Sequence, residues 1–215
     1  YRWSNDEGCS WSEPRLLTEK NLCKSNGCCL ENGYLLLPVY NKAVNQVGVF
    51  KSTDEGENWE LHGSDPIDPR IVEPSVVELS ESHILIIART KTGTLWKSES
   101  MDAGENWTPL KPTSIESYNT PVSLIKNNSS LLICYNSGKS RSKLCLSSTS
   151  SLSFHWDSTL VVDQIKDSSF PSSDSIHGSG SDCACRLHSH GCNLNLAEET
   201  SAGDEFRCAR TGRKS

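Results

Sequence analysis

Short apolar runs, bounded by polar residues, glycine or proline, recur along the first three quarters of the chain. They are rich in β-branched and aromatic residues and are too short for helices, so each predicts a strand. A fourth strand is expected in each repeat, around NWELHG and NWTPLKP. No convincing amphipathic helix is seen. Three sets repeat in phase: EPSVVEL (73–79) with TPVSLIK (120–126), YLLLPVY (34–40) with ILIIART (84–90) and LLICYN (131–136), and VGVFKS (47–52) with TLWKSES (94–100) and KLCLSS (143–148).

A polar motif recurs in the same phase. SNDEGCSW, STDEGENW and SMDAGENW begin at Ser4, Ser52 and Ser100, 48 residues apart, and a degenerate fourth copy, STSSLSFHW, begins at Ser148. Four strands in a repeat of this length are typical of a β-propeller blade. A sandwich or a β-solenoid is the alternative, although sandwiches rarely keep so regular a period and solenoids use shorter ones. We therefore predict an all-β propeller of about four blades with an irregular C-terminal tail.

The motif predicts a tight turn between the third and fourth strands of each blade. Its aspartate would accept backbone N–H groups, its glycine would take a positive φ, and its serine would bond within the turn. Its tryptophan would begin the next strand and pack between blades. A calcium loop is not favoured because the later acidic ligands are missing. Structural roles are thus predicted for Ser4, Asp6, Gly8, Trp11, Ser52, Asp54, Gly56, Trp59, Ser100, Asp102, Gly104 and Trp107.

Composition limits the function classes. The 215 residues are 35% hydrophobic, enough for one domain with a core, and the net charge of −6 without a dense basic stripe excludes a nucleic-acid surface. No apolar run reaches membrane-spanning length. Ten cysteines and glycosylation triplets at Asn106, Asn127 and Asn128 weakly favour a secreted or extracytoplasmic protein. The chain begins inside a repeat, without Met or a leader, as expected for a fragment.

Blade topology brings chemically active residues to one rim. In an up-and-down blade, the start of the first strand, the end of the second and the start of the third share one rim, and the motif turns occupy the other. Glu73, Arg89, Arg141 and Phe170 are all predicted at the first of these rims. Because arginine binds carboxylates through two parallel hydrogen bonds, we predict an anion site there. Ordinary solvated arginines are the alternative.

These features resemble the sialidase (neuraminidase) superfamily of BNR, or Asp-box, repeat proteins. The three motif copies match its S-x-D-x-G-x-x-W box. The segment EPSVVELSESHILIIART resembles the family's Glu-Pro strand that leads to an arginine at the end of the next strand, and NSGKSRSKLCLS resembles a segment with another arginine. The resemblance covers about residues 1–172, taken as the propeller domain, and implies the family's six-bladed fold.

The resemblance implies specific roles. Glu73 would be the catalytic glutamate, and Arg89 and Arg141 would be two of three arginines that bind the carboxylate of sialic acid. The family is expected to act as an exo-α-sialidase, cleaving terminal sialic acid from glycoconjugates, with a tyrosine nucleophile activated by the glutamate and an aspartic acid that protonates the leaving oxygen. The resemblance implies no metal and no organic cofactor. It implies a sialic-acid-type or other acidic glycan as the partner.

Phe170 departs from this pattern, because it stands where the nucleophilic tyrosine is expected and cannot form the covalent intermediate. The aspartic acid and the first arginine belong to an N-terminal blade that this sequence lacks, and Arg2 and Arg15 lie in no matching motif. The sequence therefore leaves two alternatives. One is a sialidase-family hydrolase that is incomplete in this chain, and the other is a non-catalytic propeller that binds acidic glycans or a protein partner. A structural propeller unrelated to sugars is a third alternative.

The tail, residues 173–215, is predicted to be irregular or disordered. Residues 168–215 contain no Val, Trp or Tyr, so they cannot build another blade core. A further interpretation is that the tail is a lost blade read in the wrong reading frame. Because the spacing fits no zinc pattern closely, no metal site is predicted for the cluster Cys183, Cys185, His188, His190 and Cys192.

Overall fold

The computed structural model describes residues 1–65, 69–150 and 154–164, together with the backbone of one short strand at Arg207–Ala209. Every regular element within these residues is a strand, which confirms the predicted all-β class. None of them is a helix long and apolar enough to cross a membrane. The strands are β1 (Arg2–Ser4), β2 (Cys28–Cys29), β3 (Leu35–Asn41), β4 (Gln46–Ser52), β5 (Glu60–Gly63), β6 (Ile71–Ser80), β7 (His83–Thr90), β8 (Thr94–Ser100), β9 (Lys111–Glu116), β10 (Ser123–Asn127), β11 (Ser130–Asn136), β12 (Lys143–Ser148), β13 (Ser158–Gln164) and β14 (Arg207–Ala209).

Three four-stranded antiparallel sheets follow one another in chain order. We call β2–β5 the first blade, β6–β9 the second and β10–β13 the third. β1 leads into the first box, and the chain after that box returns along it, with Ser12 N donating to Trp3 O at 2.8 Å and Arg15 N to Tyr1 O at 2.8 Å. The backbone of β1 also pairs in parallel with β14. Three blades and part of another agree with the predicted propeller, and the sandwich and solenoid alternatives are wrong.

Proline accounts for the strand boundaries that differ from the prediction. The fourth strand of the second blade starts at Lys111, later than expected, after Pro109, which lacks the N–H that a regular ladder needs. Pairing between β8 and β9 also shifts register between Thr94 and Trp96. Pro121 similarly delays the first strand of the third blade, which starts at Ser123.

The middle strands of the second and third blades bury their side chains differently. In β7 the run from Ile84 to Ala88 is at most 1% exposed throughout, because the second blade is covered on both faces. In β11 buried and half-buried positions alternate, because one face packs on the second blade. The continuous apolar run ILII therefore indicates a blade between two neighbours, whereas LLICYN indicates a blade with one covered face.

The three complete boxes share one hydrogen-bond geometry. In the third, Ser100 Oγ donates to Asp102 Oδ1 at 2.8 Å, Gly104 N donates to Ser100 Oγ at 2.9 Å, and Asn106 N donates to Asp102 Oδ1 at 2.9 Å. Trp107 Nε1 donates to the carbonyl of Gly104 at 3.0 Å, and that glycine has a φ of 89°. The same four bonds recur, each within 0.2 Å, at the boxes that begin at residues 4 and 52.

The fourth, degenerate copy is displaced by one residue from the predicted register. Asp157 N donates to Ser148 O at 3.0 Å, just as Thr108 N donates to Glu99 O at 2.8 Å in the third box. Ser148 therefore corresponds to Glu99, and Thr149 takes the place of the box serine. Thr149 is 2% exposed, and its hydroxyl accepts a hydrogen bond from Leu131 N.

Candidate functional site

Glu73 occupies an irregular position near the start of β6. The ladder between β6 and β7 shifts register between Val72 and Ser75, because Pro74 has no N–H to donate. Glu73 has a φ of 53° at this bulge, in the left-handed region that a side chain with a Cβ rarely adopts, and it is 6% exposed. Bulges and strained residues redirect side chains at functional sites. The bulge turns the Glu73 carboxylate towards the neighbouring strand.

Arg89 lies opposite this bulge and holds the carboxylate. Its Nη2 donates to Glu73 Oε1 at 2.6 Å, and its Nε lies 2.5 Å from Oε2. The side chains of Arg89 and Glu73 are 16% and 8% exposed, respectively. The Nη2 hydrogen bond and the Nε contact make a partly buried ion pair that compensates both charges and orients the guanidinium.

Asn119 joins Arg89 to Arg141. Arg89 Nη1 donates to the backbone carbonyl of Asn119 at 2.9 Å and to its side-chain Oδ1 at 3.0 Å. Arg141, in the turn before β12, donates from Nη2 to the same backbone carbonyl at 3.2 Å. Two guanidinium groups from different blades thus share one acceptor oxygen.

The predicted rim therefore holds Glu73, Arg89 and Arg141 together. We call the end of the blades that contains these residues and Asn119 the site rim, and the opposite end, with the boxes, the box rim. Phe170, the fourth residue predicted for the site rim, lies outside the described residues. The described members have one negative and two positive groups, so their formal charge favours an anionic ligand.

Comparison with known proteins assigns the family. A model described as a BNR repeat-like domain matches residues 1–182. The chain belongs to the BNR-repeat family of the sialidase superfamily. This agrees with the resemblance inferred from the boxes and from the Glu-Pro segment.

Similar BNR-repeat proteins include sialidases. The anhydrosialidase of Macrobdella decora is 29% identical over 58% of this chain and 18% of its own length. The leech intramolecular trans-sialidase complexed with 2,7-anhydro-Neu5Ac superposes with a TM-score of 0.65 at 22% identity, over 75% of this chain and 29% of its own. A K499G mutant of NanB sialidase from Streptococcus pneumoniae gives 0.62 at 22%, over 74% and 28%. The structural likenesses show the same fold.

The chain spans less than a third of the length of these relatives. The family model, in contrast, matches residues 1–182, which include Glu73, Arg89 and Arg141. The activity of a whole relative therefore does not transfer with the fold.

Sequence reasoning missed Asn119. It lies in the link between the second and third blades, in the sequence SYNTP just before Pro121, where neither periodicity nor the box identifies it. Blade geometry offered one signal, since a residue just before the first strand of a blade lies at the site rim. The short polar stretch gave no reason to prefer Asn119 over Ser117 or Tyr118.

Cysteine thiols and possible metal ligands are the other candidates for reactive groups. Burial raises the pKa of the Cys23 thiol to about 12 and that of Cys28 to about 11, so neither is a ready nucleophile near neutral pH. Within the part of the chain that the structure describes, no three His, Cys, Asp or Glu side chains are grouped as metal ligands. The cysteine and histidine cluster at 183–192 lies outside that part.

Proposed function

We propose that Glu73, Arg89 and Arg141 form part of an exo-α-sialidase-type site of a glycoside hydrolase, which recognises the carboxylate of a terminal sialic acid. The main support is the acceptor oxygen that the two arginines share. Since Arg89 Nη1 and Arg141 Nη2 lie within 3.2 Å of that oxygen, they are at most about 6 Å apart, a gap that one carboxylate can bridge.

The two arginines would contribute unequally. Arginine has five N–H donors, and Arg89 makes two contacts to Glu73 and two to Asn119. One donor of Arg89, on Nη2, remains for a ligand. Arg141 is half-buried and donates one hydrogen bond to Asn119. Arg141 would therefore supply most of the contacts to the ligand carboxylate, and Arg89 would supply fixed positive charge beside it.

Glu73 would have two effects in a complete site. Its pairing fixes the orientation of Arg89, and its carboxylate is a suitable partner for the hydroxyl of a nucleophile such as tyrosine. Cleavage also requires that nucleophile and an acid that protonates the leaving oxygen. This proposal accordingly assigns glycan recognition to the residues of this chain and hydrolysis to a site with those groups.

A second candidate function is non-catalytic binding of acidic glycans. Phe170 favours it, because a phenyl ring at the expected position of the nucleophile cannot attack the anomeric carbon. Recognition of the carboxylate would be the same in both cases, so turnover distinguishes them.

The test uses the full 215-residue chain and three variants. A fluorogenic sialoside measures turnover, and saturation-transfer NMR with a methyl α-sialoside measures binding. Arg141→Ala is the principal variant, because Arg89→Ala also leaves Glu73 without its partner. Arg15→Ala removes an exposed arginine that pairs with Glu57 at 2.9 Å and is the charge-matched control.

We expect sialoside binding that is lost in Arg141→Ala and retained in Arg15→Ala. Turnover in the wild type would favour the hydrolase, and binding without turnover would favour the second function. Absence of both binding and turnover in the wild-type chain, or equal binding by Arg141→Ala, would overturn the assignment of the carboxylate site.

A further inference from the structure

We propose that Asn119 is a positioning residue that sets the spacing and orientation of Arg89 and Arg141 for a carboxylate ligand. This inference rests on the function proposed above. The three hydrogen bonds to Asn119 join an arginine at the end of β7, in the second blade, to one before β12, in the third.

The link that contains Asn119 is anchored to both blades. Ser117 N donates to Gly93 O of the second blade at 3.0 Å, and Tyr118 N donates to Asn136 O of the third at 3.1 Å. The hydroxyls of Ser117 and Thr120, both 2% exposed, each donate to Tyr118 O at 3.0 Å. The backbone on either side of Asn119 is therefore fixed, and its carbonyl is a stable reference point for both guanidinium groups.

The side chain of Asn119 adds a second constraint, which acts on Arg89. Glu73 holds the Nε and Nη2 edge of the guanidinium, and Asn119 receives Nη1 through both O and Oδ1. Contacts on opposite edges of a planar group prevent it from rotating. Loss of Oδ1 would leave the Nη1 edge with one acceptor, the backbone carbonyl, instead of two, and the remaining Nη2 donor would be less well directed.

The neutral amide suits this position electrostatically. Glu73, Arg89 and Arg141 together have a formal charge of +1, which a ligand carboxylate would neutralise. An aspartate at 119 would offer the same acceptor geometry but would cancel that charge and repel the ligand. An alanine would keep the charge and lose the acceptor. These two substitutions therefore separate positioning from electrostatics.

The experiment compares Asn119→Ala, Asn119→Asp and a control, Asn32→Ala, in the full chain. Asn32 Oδ1 accepts a hydrogen bond from Tyr34 N at 3.0 Å at the box rim, so Asn32→Ala removes an asparagine side-chain acceptor of the same kind without touching the arginines. The first readout is the NMR spectrum of the arginine Nε–H and Nη–H groups without ligand. The second is the affinity for methyl α-sialoside.

In the unliganded protein we expect separate, slowly exchanging Nη signals of Arg89 in the wild type, in Asn119→Asp and in Asn32→Ala. They should broaden in Asn119→Ala, because Nη1 keeps its bond to the backbone carbonyl but loses the second acceptor, Oδ1. Affinity should fall roughly tenfold in Asn119→Ala, as expected for the loss of a hydrogen bond to a charged group. It should fall further in Asn119→Asp, where the arginine signals are unchanged.

Unchanged Arg89 signals in Asn119→Ala would overturn the positioning role, whether or not sialosides bind. If the arginine signals respond as expected but the wild-type chain binds no sialoside, the positioning role stands and the proposed ligand is wrong. Equal affinity of wild type and Asn119→Ala, with altered signals, would show that the spacing of the arginines does not govern binding and would also overturn the proposal.

Discussion

The two rims of the same blades are built on different principles. At the box rim, one set of four hydrogen bonds is repeated at three positions 48 residues apart, and its bonds are local, within the turn and the tryptophan that follows. At the site rim, Glu73, Arg89, Asn119 and Arg141 each occur once, on two blades and the link between them. The bonds of the box motif stay within one turn, whereas the bonds to Asn119 at the site rim join two blades.

This difference separates structural from functional residues in a repeat protein. A feature required by every blade recurs with the period of the blade, as the box does. A feature that recognises one ligand is needed once, at the end where the blades converge. Glu73 also departs from regular backbone geometry, with a φ of 53°, and buries a charge. Such costs are expected where function rather than stability determines the residue.

The largest expected effect comes from breaking the ion pair at the site rim. Arg89→Ala leaves the Glu73 carboxylate, 8% exposed, without its cation. Removing one partner of a buried pair typically destabilises a protein by about 3 kcal/mol. We expect a loss of that order in the free energy of unfolding, measured by urea titration.

The control is an arginine at the box rim. Arg15 pairs with Glu57, but the two side chains are 46% and 63% exposed, so Arg15→Ala should cost much less than Arg89→Ala. Adding Glu73→Gln to Arg89→Ala should restore part of the lost stability by removing the unpaired charge. Equal losses in the two single variants, or no recovery in the double variant, would contradict a buried pair that stabilises the site rim.

Much of the fold could be predicted from the sequence because it depends on local patterns. The strands at 84–90 and 131–136 follow from short apolar runs, and the box turns follow from residues that favour the required backbone angles. The boundaries near Pro109 and Pro121 were less accurate, because the loss of single N–H donors shortens a ladder in ways that an apolar pattern does not encode. The one-residue displacement to Thr149 had a different cause, since Ser148 and Thr149 offer the same hydroxyl group and the sequence does not distinguish them.

The site was only partly predictable. Topology placed Glu73, Arg89 and Arg141 at one rim, because strand ends are fixed once the blade is known. It did not predict the bulge at Glu73, which depends on how Pro74 interrupts one ladder. It also missed Asn119, because the acceptor that both arginines share is its backbone carbonyl, a group that every residue possesses.

The second expected effect concerns packing between blades at the box rim. Gly104 and Gly33 have φ values of 89° and 88°, so alanine is strained at both positions, by about 1 kcal/mol. A Cβ at residue 104 would lie 3.3 Å from Leu36 Cδ2 in the first blade, whereas one at residue 33 would have no neighbour within 4 Å. Gly104→Ala should therefore cost about 2 kcal/mol and Gly33→Ala about 1 kcal/mol.

Urea unfolding of the two glycine variants measures the difference directly. Because backbone strain is common to both, the extra loss in Gly104→Ala reports the contact between the third box and the first blade. Equal losses in the free energy of unfolding would mean that the neighbouring blade accommodates the added methyl group without destabilisation. The boxes would then stabilise their own turns rather than the stacking of blades.

The smallest expected effect is the pH dependence of the boxes. Hydrogen bonds from the backbone and side chain of Asn106 lower the pKa of Asp102 from 3.8 to about 2, and those from the side chain and backbone of Ser10 do the same for Asp6. The Asn58 bonds also lower the pKa of Asp54. A carboxylate with a depressed folded pKa stabilises the protein above its unfolded value and loses that contribution as pH falls through the folded value. Stability should therefore decline between pH 3.8 and about 2.

Thermal unfolding between pH 5 and pH 2 tests this decline against the variant Asp102→Asn, whose Oδ1 can still accept the Asn106 N–H but cannot titrate. Its melting temperature should be lower at pH 5 and should fall less steeply below pH 4 than that of the wild type. Asp65→Asn, at an exposed aspartate outside the boxes, should retain the wild-type slope. If the melting temperatures of wild type and Asp102→Asn fall equally with pH, the charge of the box carboxylates does not contribute to stability. The boxes would then stabilise their turns through hydrogen-bond geometry rather than through charge.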